Sequence, residues 1–480
     1  MGAFTEYSAL ELARAIRAGH LRSREVVEAQ IERIERINPA LNAVVADRFA
    51  AARSDADAAD ARITAAAEDE TLPPLLGVPC TVKESIAVAG MPSSAGVVAR
   101  AGLRMDRSAP VVERIVAAGA IPLGVTNTSE LTLWVESSNR VYGRTSNAYD
   151  PRRSAGGSSG GEGAAVGAGL VPFGIGSDIG GSIRIPAFFN GVFGHKPTPG
   201  LVPSSLVYPP ADGDALKLLG VGPITRRAED LMPLLRTIRG PDEGDVLSVE
   251  RGDAELGDPG AVALDGLRVV VGSGFAYYPV SRELRAARER AAAALAARGA
   301  AVERVDLKRL RRAYELYLVA LKHSSTSSVA GILAEAGVTA PRLRESLRRS
   351  GPHTGPTRML LALERVPTPA RIVRSALAAG RALSEELIAT IGDGVLLHPP
   401  FHRVAPRHGR IIRRPRSIAP MTVFNLAGVP VTQVPMGLGK KGLPLGVQVV
   451  AAPNRDHVAI ACALALEEAA GGWVDTRALG

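Results

Sequence analysis

Glycine and serine are concentrated in one short stretch of the chain, residues 156–182, with the sequence GGSSGGEGAAVGAGLVPFGIGSDIGGS. Glycine adopts backbone conformations that other residues rarely reach, and it lets backbone amides approach a ligand closely. Ser158 and Ser182 lie in such backbone, where a serine can act as a nucleophile beside an oxyanion hole. A flexible linker can also be rich in glycine and serine. The apolar run from Ala164 to Ile175 argues against a linker, because it predicts a buried segment.

A candidate base lies upstream of this stretch, at Lys83. It follows an apolar run, residues 76–82, whose pattern predicts a strand that enters the core. Burial lowers the pKa of a lysine and can leave it neutral, able to accept a proton. The alternative is a lysine that pairs with Glu84 at the end of the strand. The segment alone favours this alternative.

Together these segments resemble the amidase signature family. GGSSGGEG and the later GSDIGGSIRIPAFFNGVFGHKPTPG match the signature block of the family, and Val82-Lys83-Glu84 matches its lysine motif. Ser158 follows Lys83 by 75 positions and precedes Ser182 by 24, as in the family. Within the family, TSEL followed by WVESSN at residues 128–139 is most similar to fatty acid amide hydrolases of type 2.

The resemblance implies an α/β fold with a large mixed β-sheet core covered by helices, in a single amidase domain over residues 1–480. It implies hydrolysis of a carboxylic acid amide, with a hydrophobic or fatty acyl group and esterase side activity as candidate properties. Ser182 would attack the carbonyl and form an acyl-enzyme. Ser158, which follows a cis peptide bond in the family, would relay the proton to a neutral Lys83.

Further site residues follow from the same resemblance. Ser159, Asp178 and Arg184 are expected to support the catalytic residues. Glu84 and Ser177 depart from the commoner family residues, and we expect neither to touch the three catalytic positions. The implied oxyanion hole consists of the backbone amides of Ile179, Gly180, Gly181 and Ser182.

The substrate pocket is less specified than the catalytic residues. Related amidases line their acyl channel from the segment that holds Leu133 and Trp134, so we expect these two side chains to bind substrate. Residues 307–390 have a helical pattern, and such regions cover the substrate entrance in related enzymes. Tyr317 and Leu361 in this region could line the channel, or could be ordinary core-facing residues.

Composition limits the cofactors and partners. The formal net charge is +9, and an arginine cluster at residues 403–416 is the densest basic segment. This cluster has no interleaved aromatics and no nucleic-acid motif, so we expect no nucleic-acid partner. We also expect no metal, no cofactor, no stable membrane anchor and a cytoplasmic location, with a small-molecule amide and water as partners and a homodimer left open.

Two other functions remain open at this stage. The A subunit of a tRNA-dependent glutamine amidotransferase shares the signature block, but the TSELTLWVESSN run at residues 128–139 argues against it. A catalytically silent binding protein on the same scaffold is the second alternative. The presence of Lys83, Ser158 and Ser182 argues against a silent protein.

Overall fold

The fold is built around a mixed β-sheet, whose strands come from most of the length of the chain. The computed structural model describes residues 3–67, 69–250, 252–274, 277–325, 328–338 and 351–476. Within these residues the strands are β1 (Val44–Asp47), β2 (Pro79–Lys83), β3 (Ile121–Thr126), β4 (Ser138–Asn139), β5 (Gly143–Arg144), β6 (Phe173–Asp178), β7 (Phe193–Lys196), β8 (Gly220–Thr225), β9 (Arg268–Ser273), β10 (Ala301–Asp306), β11 (Val395–His398), β12 (Val431–Leu438) and β13 (Pro444–Ala451).

Eleven of these strands form one sheet in the order β1-β3-β2-β6-β8-β7-β12-β13-β11-β9-β10, and β4 and β5 form a separate hairpin. The pairs β2–β3, β2–β6, β9–β10 and β9–β11 are parallel, and the pairs at the centre of the sheet are antiparallel. The sheet therefore confirms the expected α/β fold with a large mixed core.

Helices cover both faces of the sheet. Within the described residues they are α1 (Ala9–Arg17), α2 (Ser23–Leu41), α3 (Phe49–Ala65), α4 (Pro110–Ala117), α5 (Gly160–Gly167), α6 (Arg184–Phe189), α7 (Leu231–Ile238), α8 (Asp253–Leu256), α9 (Arg282–Ala296), α10 (Ala313–Ser324), α11 (Val329–Glu335), α12 (Gly355–Glu364), α13 (Ala370–Ile391), α14 (Ala419–Leu426) and α15 (Asp456–Ala470).

Strand β9 contributes side chains to two apolar clusters, one on each face of the sheet. Val269 and Val271 belong to the apolar cluster that contains residues of α9 and α15, whereas Val270 belongs to the cluster that contains residues of α10, α13 and α14. Successive side chains of a strand point to opposite faces of the sheet. The continuous apolar run in β9 is thus explained by burial on both sides.

The arrangement of the strands places the site. β3, β2 and β6 are parallel neighbours, so their carboxyl ends reach the same edge of the sheet. Lys83 is the last residue of β2, and Asp178 is the last residue of β6. Open α/β sheets bind ligands beyond the carboxyl ends of their strands. Residues that are far apart in the sequence therefore meet at this edge.

The region with the long helical pattern contains four α-helices within the part that the structure describes. Helices α10 to α13 occupy most of residues 307–390, of which 326–327 and 339–350 lie outside the described part. α10 packs against α13 and α14 on one face of the sheet. No helix in the described ranges has the length and apolar content that crossing a membrane would need.

Candidate active site

Lys83 is the centre of the site and is completely buried. Its Nζ lies 2.7 Å from Ser158 Oγ and 2.9 Å from Ser177 Oγ. Burial lowers the pKa of Lys83 to about 7, even though the neighbouring Asp178 and Glu162 carboxylates act in the opposite direction. The structure thus places a lysine that is readily neutral against the hydroxyl expected to relay a proton.

Ser177 corrects one sequence expectation. We predicted that this position would not touch the catalytic residues, and its hydroxyl contacts Lys83 directly. The reason is the parallel pairing of β2 and β6, in which Val82 faces Ile175. This register brings the ends of both strands together across 94 positions of sequence.

The backbone around Ser158 is held by close contacts. The Gly157–Ser158 peptide bond is cis, as the family resemblance implied. A Cβ atom on Gly157 would lie 2.8 Å from the Trp134 carbonyl oxygen, so no larger residue fits here. The Ser137 hydroxyl donates to the Ser158 carbonyl at 2.8 Å and accepts from the Gly160 amide. No motif in the sequence indicated a role for Ser137.

Ser182 lies in the turn that leads into α6, with only 5 % of its surface exposed. The Ser159 amide donates to the Ser182 carbonyl at 3.2 Å, which fastens the two serine-bearing segments together. The Ser159 hydroxyl donates to the Ser177 carbonyl at 3.3 Å. These backbone contacts bring Ser158 and Ser182 to the same part of the molecule.

The four amides of the expected oxyanion hole differ from one another. The Gly181 amide donates to Asp178 Oδ1 at 2.7 Å. The amides of Ile179, Gly180 and Ser182 make no hydrogen bond with any residue that the structure describes. Gly181 has φ +110°, a conformation that favours glycine. Three of the four amides are therefore available to a ligand oxygen.

A buried ion pair fixes this turn. Asp178 and Arg184 are both fully buried, and Arg184 Nε donates to Asp178 Oδ2 at 2.9 Å. The same carboxylate accepts from the Ile183 amide and from Asn425 Nδ2. The Arg184 guanidinium and these hydrogen bonds hold the pKa of Asp178 far below its usual range, against the effect of burial. Asp178 therefore organises the turn as an ionised carboxylate.

Helix α10 contributes a contact that the sequence did not indicate. The Tyr317 hydroxyl donates to the Ile179 carbonyl at 2.9 Å, and the side chain is buried. A Cβ atom on Gly180 would lie 2.7 Å from the same hydroxyl. Tyr317 thus packs directly on the turn before Ser182, which differs from both sequence interpretations of it.

The segment with Leu133 and Trp134 adjoins this site and also contacts the helical region. Leu133 packs against an apolar cluster that includes Ile332 of α11 and Leu361 of α12. The buried Glu130 carboxylate accepts from the amide of Thr354, the residue before α12, at 2.7 Å. The helices therefore pack against the segment expected to bind substrate.

Comparisons with known proteins agree with this geometry. The Amidase family model matches residues 25–459. The chain belongs to the amidase family. Fatty-acid amide hydrolase 2-B of Danio rerio is 42% identical over 98% of this chain and 90% of its own length, and fatty-acid amide hydrolase 2 of Homo sapiens is 40% identical over 97% and 90%. A 6-aminohexanoate cyclic dimer hydrolase, solved with its substrate, superposes with a TM-score of 0.86, at 26% identity and full coverage of both chains.

The family assignment establishes the class of chemistry. The chain is an amide-hydrolysing enzyme with the amidase signature, similar to the fatty acid amide hydrolases of type 2. The amidase family prediction and its type 2 resemblance are confirmed.

Proposed function

We propose that this amidase hydrolyses a hydrophobic acyl amide through an acyl-enzyme on Ser182, with Ser158 and Lys83 as the proton relay. The observation that carries the proposal is the 2.7 Å contact between Lys83 Nζ and Ser158 Oγ in a fully buried setting. Burial favours the neutral amine, and a neutral amine can accept a proton.

Acylation would proceed in two stages, attack by Ser182 and then loss of the amine. The Ser182 oxygen attacks the amide carbon while its proton passes to Ser158, and the proton of Ser158 passes to Lys83. When the C–N bond breaks, Lys83 returns a proton through Ser158 to the leaving nitrogen. The products of this half-reaction are a free amine and an ester on Ser182.

Deacylation would use the same groups with water. The water oxygen attacks the ester carbon and gives its proton to the relay, and the Ser182 oxygen takes a proton back as the carboxylic acid leaves. In both steps negative charge develops on the carbonyl oxygen. The amides of Ile179, Gly180 and Ser182 would stabilise it, and one such donor is typically worth about 3 kcal/mol.

The hydrophobic substrate is supported by the surroundings of Leu133. This side chain is half-buried beside the apolar cluster of α11 and α12, and Trp134 packs against the main core. We propose that an acyl chain binds along this segment and that helices within residues 307–390 cover its entrance. Two relatives named fatty-acid amide hydrolase 2 have the same class of substrate in their names.

The test is active-site labelling. A serine-directed fluorophosphonate should modify the wild-type enzyme at Ser182, as mapped by peptide mass spectrometry. Ser182→Ala should lose both the label and turnover of a fatty acyl amide, whereas Ser146→Ala, outside the site, should keep both.

Other outcomes would identify the alternatives. A wild-type protein that takes no label would be a silent binding protein. Strict dependence on glutamine as the amide would indicate an amidotransferase subunit. A label on another serine would remove Ser182 from the mechanism.

A further inference from the structure

A cavity of about 900 Å³ lies beside the arginine-rich segment and apart from the proposed catalytic residues. Neither Lys83, Ser158 nor Ser182 lines it. Six of its positive side chains come from two elements of the fold, the loop after β11 and the hairpin between β12 and β13. They are Arg403, Arg407, Arg410, Arg413, Arg414 and Lys441.

These six charges are not compensated locally. No aspartate or glutamate in the described ranges lines the cavity, and none of the six forms an ion pair there. The further cation on its wall, Arg153, is already paired with Asp150 at 3.0 Å. Like charges at such spacing repel each other and create a positive potential that attracts an anion.

An unsatisfied polar group lies in the same wall. His402 is 95 % buried, and both its ring nitrogens lack a hydrogen-bond partner among the residues that the structure describes. Its ring packs between Phe401 and Tyr278, at centroid distances of 4.7 and 5.4 Å. Buried polar groups normally have partners, so this histidine is a second feature that indicates a missing ligand.

The loop that holds the arginines is fastened to the rest of the fold. The Ser154 amide donates to the Pro406 carbonyl at 2.9 Å, and Arg153 Nη1 donates to the Ala405 carbonyl at 2.6 Å. The Gly409 amide donates to the Glu136 carboxylate at 3.1 Å. The positive groups therefore extend from an anchored backbone, which reduces the entropy that binding would cost.

The cavity is separate from the nucleophile turn but is connected to it through α6. Phe401 packs edge-on against Phe189 at 5.5 Å, and Phe189 is the last residue of α6. Ser182 lies in the turn before the opposite end of this helix, whose six residues span about 9 Å at 1.5 Å per residue. A ligand in the cavity would thus not occupy the catalytic centre.

We propose that this cavity binds a phosphate ester, the group shared by phosphorylated small molecules and phospholipid headgroups. Guanidinium groups present paired N–H donors that match the oxygens of a phosphate. A volume of about 900 Å³ is larger than a bare phosphate needs and falls in the range of small-molecule sites. The binding is independent of catalysis, so it can be measured in the inactive Ser182→Ala protein.

Two neighbouring lysines provide a matched test. Lys441 lines the cavity and Lys440 does not, although both are exposed on the same hairpin. Calorimetric titration with glycerol 3-phosphate and with pyrophosphate measures soluble ligands. Co-sedimentation with phosphatidylcholine vesicles, with and without phosphatidylglycerol, measures headgroup binding. Thermal unfolding midpoints check that Lys441→Glu and Lys440→Glu remain folded.

We expect Lys441→Glu to weaken binding at least about fivefold and Lys440→Glu to leave it nearly unchanged. This pattern with the soluble probes supports a phosphorylated small molecule, and the same pattern with anionic vesicles alone supports a headgroup. Equal effects of the two variants, or no binding of any probe, would overturn the proposal. Tighter binding of a single-stranded oligonucleotide than of every other probe would also overturn it, in favour of nucleic acid.

Discussion

Lys83 is subject to two opposing electrostatic effects. Burial disfavours its charge, nearby carboxylates favour it, and the resulting pKa is about 7. Below that pH the ammonium form cannot accept a proton, so kcat/KM for an amide should fall about tenfold per pH unit. Above it the amine is neutral and the rate should level off. A pH–rate profile from pH 5 to 9 checks this, and a flat profile would rule out Lys83 as the base.

A variant at Lys83 separates amide from ester hydrolysis. An amine leaves poorly unless it is protonated, whereas the alcohol of an activated ester leaves without help. Lys83→Ala should therefore reduce amidase activity more than esterase activity on substrates with the same acyl group. Equal losses on both substrates would show that the lysine is not the acid for the leaving amine.

Ser177 gives a second test at the scale of one residue. Its hydroxyl accepts from Lys83 Nζ, and a net hydrogen bond of this kind is worth about 1 kcal/mol. Ser177→Ala should lower kcat for an amide about fivefold and change the pH profile, since it alters the surroundings of Lys83. Ser177→Thr keeps a hydroxyl and should restore most of the rate. Equal activity of the Ala and Thr variants would show that the Ser177 hydroxyl does not support Lys83.

The elements that hold the site explain what sequence could and could not predict. The strand that ends at Lys83 is confirmed, because its pattern follows from neighbouring residues. Contacts between distant elements have no such local signal. The hydroxyl of Tyr317 meets the Ile179 carbonyl across 138 positions, and one helical pattern fits several orientations of α10.

Tyr317 carries the prediction at the scale of elements. Its hydroxyl fixes the carbonyl of Ile179, and the next amides in this turn are the proposed oxyanion donors. Tyr317→Phe removes only that hydrogen bond and should lower kcat about fivefold while KM stays within about twofold. Tyr314→Phe, a change on the same helix, is the control and should keep kcat. A rise in KM alone would instead assign Tyr317 to substrate binding.

At the scale of the whole molecule, the sequence specified the family and the sheet but not the substrate pocket. The signature block is one continuous segment, and its glycines are required where backbones approach, as at Gly157. The proposed acyl site involves separate segments, with Leu133 from one packing against Ile332 and Leu361 of helices α11 and α12. No sequence periodicity relates such segments, so the contacts between them could be known only from the folded structure.

The acyl channel is therefore tested by the response to substrate length. Each methylene that enters an apolar channel contributes about 0.8 kcal/mol, so kcat/KM should rise about fourfold per carbon until the channel is full. In Leu133→Trp, kcat/KM should stop rising at a shorter acyl length, because the added ring occupies the channel. Leu363→Trp, on the exposed face of α12, is the matched control and should leave the length profile unchanged. Two results would contradict this channel: a wild-type kcat/KM that does not depend on acyl length, or an equal change of the length profile in both tryptophan variants. Leu133 would then not line an acyl channel, and another part of the molecule would recognise the substrate.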